Sequence, residues 1–365
     1  MTVTGLTVSA YTIPTDQPEA DGTLAWDQTS LVLVKASDVT CEGVGWTYAD
    51  PGAVAVINEH LAPVAVGRDP ADVPAVAEEM ARAVRNIGRP GLAACAISAV
   101  DIALWDLKAR RAGLSLTDLL GRARASVPIY GSGGFTTYDD TTTCAQLTTW
   151  VQDWGIPRVK IKIGQGWGSD PARDLARVAL ARKTIGPDVE LYVDANGGYD
   201  TKQAVRVGRA MAAEHHVTWF EEPVSSDDLA GLARVRAGFD GDVTAGEYGY
   251  TPGYFARMLA SGAVDCLQAD VTRCGGYTVW LKVAALAEAH HLQISGHCAP
   301  NLHAPVAAAV ANLRHVEYFH DHHRIETMLF DGTLSPDGGA MIPDRHQPGH
   351  GLRFREDVAS LYRVA

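Results

Sequence analysis

The sequence predicts an α/β chain: a parallel (β/α) barrel preceded by a smaller α+β unit. Three observations predict it. From Val127 onward, short apolar runs alternate with helical stretches, as parallel strands joined by helical crossovers require. Charged or basic residues close successive runs, in the order Lys160/Lys162, Asp194, Glu221, Glu247, Asp270 and His297, with Glu317 following. The steps are about one strand, one helix and two loops long. The 365 residues exceed one average domain and suit a barrel with a second unit.

Taken in order, residues 1 to about 50 read as strands: Leu6 to Ile13, Ser30 to Ala36, and a Gly-punctuated stretch from Cys41 to Trp46. The polar segment Pro14 to Gln28 reads as a long, mobile loop. Residues 53 to 112 read as helices. Asp72 to Val84 is amphipathic, with Asp72 a candidate N-cap. Ala93 to Arg111 is apolar around most of its circumference up to Trp105, which predicts burial on several sides. Strands followed by helices make this part α+β.

In the second part the strand runs are Val159–Ile163, Leu191–Val193, Val217–Phe220, Val264–Gln268 and Gln293–Ser295. Helical stretches such as Pro171–Ile185 and Lys202–Glu214 separate them. An open doubly wound sheet would give the same alternation, but it gathers its site at one switch point. Chemistry-bearing residues after at least six strands favour the closed barrel, whose strand ends meet at one mouth. Beyond about residue 326 the alternation gives way to Gly-, Pro- and Asp-rich turns, which predicts a tail packing back on the first unit.

The net charge is −12 and the pI about 5.5. Both argue against a nucleic-acid surface, which needs clustered Lys and Arg. Met1 to Ala10 lacks the basic start and apolar stretch of a signal peptide. No apolar run approaches the roughly 20 residues of a membrane span. The six cysteines make no CxxC pair, so a cytoplasmic protein with free thiols is expected.

Lys160 and Lys162 are two apart on a strand and share a face. Two ammonium groups held close repel, which should lower a lysine pKa toward that of a working base. A solvent-facing edge strand would place the same two lysines. Asp194 sits in Tyr-Val-Asp-Ala-Asn-Gly-Gly, with Asn196 on its face; an Asp-Asn-Gly turn is the plainer reading. Glu221 and Glu222 precede Pro223, and only one can point inward from a regular strand. Glu247 follows Ala245-Gly246. Three acids at successive strand ends suit a hard divalent ion such as Mg²⁺. Zinc fits less well, because no His or Cys pair has ligand spacing. Asp270 and His297 end adjacent strands, so the carboxylate could fix the imidazole tautomer and raise its basicity. Metal, lysines and dyad together suit removal of a proton next to a carboxylate. Tyr130, Ser132, Asn301 and His303 are expected around the mouth, where they would suit a polyhydroxylated substrate. His320-Asp-His-His fits an exposed loop, and Gly131-Ser-Gly-Gly lacks the pattern of a phosphate loop.

These segments, as an ordered set, resemble the enolase superfamily in its mandelate racemase subgroup. Ile102-Ala-Leu-Trp-Asp-Leu-Lys108 with Leu119-Leu-Gly121 resembles the end of its capping domain, and Lys160-Ile-Lys162 its KxK strand. Val193-Asp-Ala-Asn196, Phe220-Glu-Glu-Pro223 and Gly246-Glu247 resemble its metal-ligand segments. Asp270 with Gly275-Gly276, and Ser295-Gly-His297, resemble its dyad; Glu317 matches the acid on its last strand. The resemblance covers roughly residues 90 to 345. It implies a modified (β/α)7β TIM-type barrel (residues 126–325) with an α+β N-terminal capping domain (residues 1–125), completed by the C-terminal tail (residues 326–365). It implies Mg²⁺ on Asp194, Glu221 and Glu247, and Lys162 as base with Lys160 contacting the substrate carboxylate. It makes His297, oriented by Asp270, the base or acid on the opposite face, and has Glu317 donate to the enediolate. A homo-oligomer with a small-molecule carboxylate substrate is expected. Dehydration of an acid sugar to a 2-keto-3-deoxy acid is the favoured reaction. Racemisation or epimerisation of a 2-hydroxy acid, and cycloisomerisation of a lactone or anhydro-sugar acid, are the alternatives.

Overall fold

The computed structural model describes residues 2–365; Met1, the first residue of the expected cap, lies outside them. Three antiparallel strands open the chain: β1 (Gly5–Ala20), β2 (Ala25–Ser37) and β3 (Glu42–Tyr48). The hairpin between β1 and β2 runs out to Ala20 and Ala25, with one irregularity between Pro14 and Glu19. The expected mobile loop is therefore paired strand. It carries few apolar residues because its far end faces a cavity rather than a core. Asp21 closes the turn by accepting the amides of Thr23 (2.6 Å) and Leu24 (2.8 Å) at Oδ1.

The helix Leu92–Ala112 packs across β3. Gly43 and Gly45 permit this approach. A Cβ on Gly43 would stand 2.2 Å from the Leu107 nitrogen, and one on Gly45 2.4 Å from that of Ala103. Through Trp105 this helix is buried on nearly all sides, as its apolar circumference predicts. The neighbouring helix is Val73–Ala83. Asp72 precedes it but makes no side-chain cap; Asp69 instead caps a short turn by accepting from Ala71.

The barrel consists of β4 (Val127–Gly133), β5 (Arg158–Lys162), β6 (Glu190–Asp194), β7 (Val217–Glu221), β8 (Asp242–Ala245), β9 (Cys266–Ala269), β10 (Gln293–Gly296) and β11 (Leu313–Phe319). Neighbours pair in parallel, and β11 pairs with β4 to close the ring. Asp139, Asp170, Asp200, Asp228 and Thr251 each accept an amide at the start of a crossover helix. Such caps contribute about 1 kcal/mol apiece. A layer of Tyr130, Tyr192, Trp219 and His315 fills the interior, with Tyr192 and Trp219 stacked at 5.3 Å.

The two units are tied by buried hydrogen bonds. Thr47 Oγ1 donates to the Thr272 carbonyl (2.7 Å), and Ser98 Oγ accepts the amides of Gly275 and Gly276. The hairpin end is held over the mouth by Thr136 N to Ala20 O (2.8 Å) and Trp167 N to Gly22 O (2.9 Å). The tail returns to the first sheet, where Ala10 exchanges backbone bonds with Val364 and Ala365, and Phe330 stacks on Trp46 at 4.2 Å. Among the described residues, all six cysteines are free, and no helix is long and apolar enough to cross a membrane.

Candidate active site

Register brings the charged residues together. Lys162 is level with Asp194, and Asp194 with Glu221, on successive strands. Glu247 follows β8 after Gly246, whose φ of +139° and closeness to the Gln268 carbonyl exclude a side chain. One oxygen each from Asp194, Glu221 and Glu247 falls within 4.8 Å of the others. All three side chains are buried, and Glu247 Oε2 has no hydrogen-bond partner. Burial, with Asp194 and Glu317 adding, pushes the Glu221 carboxyl up to about 7 against the pull of Lys160. Converging, crowded and under-satisfied carboxylates fit a hard divalent cation.

The lysines depart from expectation. Lys160 Nζ is fully buried, 2.5 Å from Glu221 Oε1 and 2.7 Å from Glu317 Oε1. Lys162 Nζ lies 2.5 Å from Asp194 Oδ2. Burial acts to lower Lys162, but Asp194, with Glu247 and Glu317 adding, outweighs burial and the repulsion from Lys160, so its pKa is raised. The repulsion between the lysines exists; the facing carboxylate is stronger. Burial likewise acts to raise Asp194, and Lys162 and Lys160 overcome it.

Across the mouth, His297 Nδ1 sits 2.8 Å from Asp270 Oδ2. Thr272 donates its amide (2.6 Å) and hydroxyl (2.7 Å) to Asp270 Oδ1, which fixes the carboxylate. Burial acts to raise Asp270, but the hydrogen bond and charge of His297 hold it well below the usual range. Burial acts to lower His297; Glu247, Glu317 and Asp270 together raise it. Strands β5 and β10 stand three apart one way around the ring and five the other, so Lys162 and His297 enter from different sides.

Glu317 accepts from Ser132 Oγ (2.6 Å) and from the Cys298 amide (3.0 Å). Although burial acts to raise it, Lys160 and His297 hold it well below its usual range. In this arrangement it is an ionised acceptor. The expected donor role would require it to take up a proton first.

Three further expectations are corrected, and a fourth is made specific. Glu222 is buried as well as Glu221, because the chain leaves β7 through a left-handed residue (φ +38°) before Pro223. Burial, then Glu247 and Asp194, raise the Glu222 carboxyl well above its usual value. Tyr130, Ser132, Asn301 and His303 do not line the mouth. Tyr130 belongs to the aromatic layer beneath it, Ser132 serves Glu317, Asn301 serves Glu326, and His303 bonds backbone groups. His320-Asp-His-His opens the helix His320–Leu329, with His322 buried rather than in an exposed loop. Asn196 holds Asp194, but through its backbone amide (2.9 Å).

A cavity of about 490 Å³ joins these residues to the cap. Lys162, Asn196, Glu247, Arg273, His297 and Glu317 line its barrel side; the cap adds Asp21, Trp26, Thr29, Ser30, Tyr48 and Asp50. Arg273, unforeseen from the sequence, bridges Glu247 (3.2 Å) and Asp270 (3.5 Å). A depression of about 570 Å³ between Thr137–Thr141 and Arg173–Arg177 contains none of the site residues.

Residues 142–358 match the family described as enolase C-terminal domain-like. Residues 7–121 match the mandelate racemase / muconate lactonizing enzyme N-terminal domain. Among curated relatives, L-talarate/galactarate dehydratase of Salmonella typhimurium is 33% identical over 315 residues, 85% of this chain and 77% of the relative. D-galactarolactone cycloisomerase of Agrobacterium fabrum is 33% identical over 375 residues, 96% and 95% of the two. Among solved structures, a mandelate racemase/muconate lactonizing enzyme-like protein from Rubrobacter xylanophilus superposes with a TM-score of 0.96, at 49% identity and full coverage of both chains. A racemase from Streptomyces coelicolor with bound magnesium gives 0.93 at 28% identity, covering 99% of this chain and 100% of that one.

Proposed function

We propose that this chain, which belongs to the enolase superfamily in its mandelate racemase subgroup, is a Mg²⁺-dependent acid-sugar dehydratase. The observation that carries the reading is one cavity shared by the convergent acids and by Lys162 and His297 on different sides. Asp194, Glu221 and Glu247 would hold the ion. Mg²⁺ there supplies electrostatic stabilisation for the charge that develops on the substrate carboxylate as the α-proton leaves.

The chain's own residues divide the rest. Lys162 takes the α-proton. It is primed for this once the Asp194 and Glu247 charges are engaged elsewhere, because Asp194, with Glu247 and Glu317 adding, is what raises it. Lys160, locked between Glu221 and Glu317, keeps a positive charge beside the substrate carboxylate. His297, raised by Glu247, Glu317 and Asp270 and oriented by Asp270, delivers a proton to the departing β-hydroxyl. Positioned acids and bases of this kind contribute about 10² to 10⁴-fold each. We place the division between cap and barrel near residue 125, just before β4, with residues 326–365 returning to the cap.

The test is incubation with Mg²⁺ and a panel of acid sugars in D₂O, following 2-keto acid formation and deuterium at the α-carbon. Keto product that disappears in Lys162→Ala is expected. Deuterium entering with inversion and no keto product would make the protein a racemase. Ring-opened product from a lactone would make it a cycloisomerase. Absence of exchange with every carboxylate would end the proton-abstraction reading.

A further inference from the structure

The cavity has two chemically distinct ends. Its lysine and arginine are both on the barrel, Lys162 and Arg273, and Arg273 is already matched to Glu247 and Asp270. The cap end contributes two carboxylates. Asp21 Oδ1 holds the hairpin turn, and Asp50 Oδ1 accepts the Gly52 amide at 2.7 Å. Their Oδ2 atoms make no hydrogen bond among the described residues. Beside them on β2 stand Thr29, whose hydroxyl donates to Asp321 Oδ2, and Ser30, whose hydroxyl is bonded to that of Thr12 at 3.0 Å; the oxygen of each keeps accepting capacity toward the cavity.

His322 completes this end as an uncharged donor. Its ring stacks on Tyr48 at 3.4 Å, and Nδ1 accepts the Ala299 amide at 3.2 Å. A ring nitrogen that accepts carries no proton, so the proton is on Nε2. Charging the ring would forfeit that bond, and burial holds its pKa down to about 3.

Resting on the dehydratase reading, we propose that the substrate is a monocarboxylate acid sugar, an aldonate. Its hydroxylated end lies under the cap against Asp21, Asp50, Thr29, Ser30 and His322. Sugar hydroxyls can donate to the aspartates and accept from the His322 Nε2–H. A second carboxylate, as in an aldarate, would meet two like charges and no free cation there.

The experiment compares kcat/KM for aldonate and aldarate pairs of matched configuration, in wild type, Asp21→Asn and Asp50→Asn. Asparagine keeps the Oδ1 acceptor that each turn uses. We expect wild type to favour the aldonate by at least about tenfold, and each variant to narrow the gap about fivefold, as charges several ångströms apart allow. The gap should also narrow with added salt, which a purely steric preference would not do. An aldarate handled as well as its aldonate partner, or a ratio indifferent to both variants and to salt, overturns the proposal and leaves dehydration intact. If neither class exchanges its α-proton in D₂O, the parent reading fails and this one with it.

Discussion

Glu19→Gln should stabilise the protein, and by more as pH rises. Glu19 lies at the far end of β1, fully buried, with Trp26 Nε1 donating to Oε2 at 2.8 Å and Oε1 unpartnered. Burial, with the charge of Asp321 adding, pushes its carboxyl from 4.5 up to about 9. A group raised in the folded state contributes stability that is complete below its unfolded value and lost as pH rises through the folded one. At pH 8 the chain stands about 3.5 pH units above the unfolded value, so the loss is at most about 5 kcal/mol. Glutamine keeps an acceptor for Trp26 and removes the titration, while an imperfectly bonded buried amide costs about 1–3 kcal/mol. A net gain of about 2 kcal/mol at pH 8, vanishing or reversing near pH 5, is the expected outcome. Urea melts of metal-free protein at pH 5, 6.5 and 8 would measure it. A difference between variant and wild type that does not change with pH would refute the argument.

Asp270→Asn removes the anion 2.8 Å from His297. Keto-acid formation should drop about 10² to 10⁴-fold, its alkaline limb should move to lower pH, and Lys162-dependent α-proton exchange should survive; an unmoved limb would count against the dyad. Chelation of Mg²⁺ should abolish exchange. Restoring the ion should raise the thermal midpoint more at pH 8 than at pH 6, because Glu221, at about 7 without it, must release a proton to bind; equal shifts would refute this. Gly246→Ala would place a Cβ 1.9 Å from the Gln268 carbonyl and displace Glu247, so calorimetry should show Mg²⁺ affinity weakened by tenfold or more.

The barrel and its charged ring were legible because a parallel barrel converts sequence order into spatial order. Asp194, Glu221, Glu247, Asp270, His297 and Glu317 needed only to end consecutive strands to meet. Side-chain direction off the strands was not legible in the same way. Tyr130 and Ser132 lie on β4 two residues apart and both face the interior, Tyr130 in the aromatic layer below the mouth and Ser132 above it, bonded to Glu317. Polarity alone cannot tell these depths apart. Glu222 is buried through a single left-handed residue, a departure that strand parity does not anticipate.

The cap was least legible, for a related reason. A strand announces itself by alternation only where one face meets a core, and the far half of the β1–β2 hairpin faces the cavity. Asp21, Trp26, Thr29 and Ser30 line that cavity, so their pattern follows no core and looks like a loop. Conversely, polar composition in a segment that is demonstrably paired strand is itself information. It identifies the wall of a cavity, where Trp26, Thr29 and Ser30 are bonded within the protein and Asp21 keeps Oδ2 unused among the described residues. In this chain the cap end of the cavity has the Asp21 and Asp50 carboxylates with the neutral His322 imidazole beside them, while the cavity's Lys162 and Arg273 stay with the barrel acids. On the aldonate proposal, the separation of charge between the two ends, rather than the proton-transfer residues, would select one acid sugar over another.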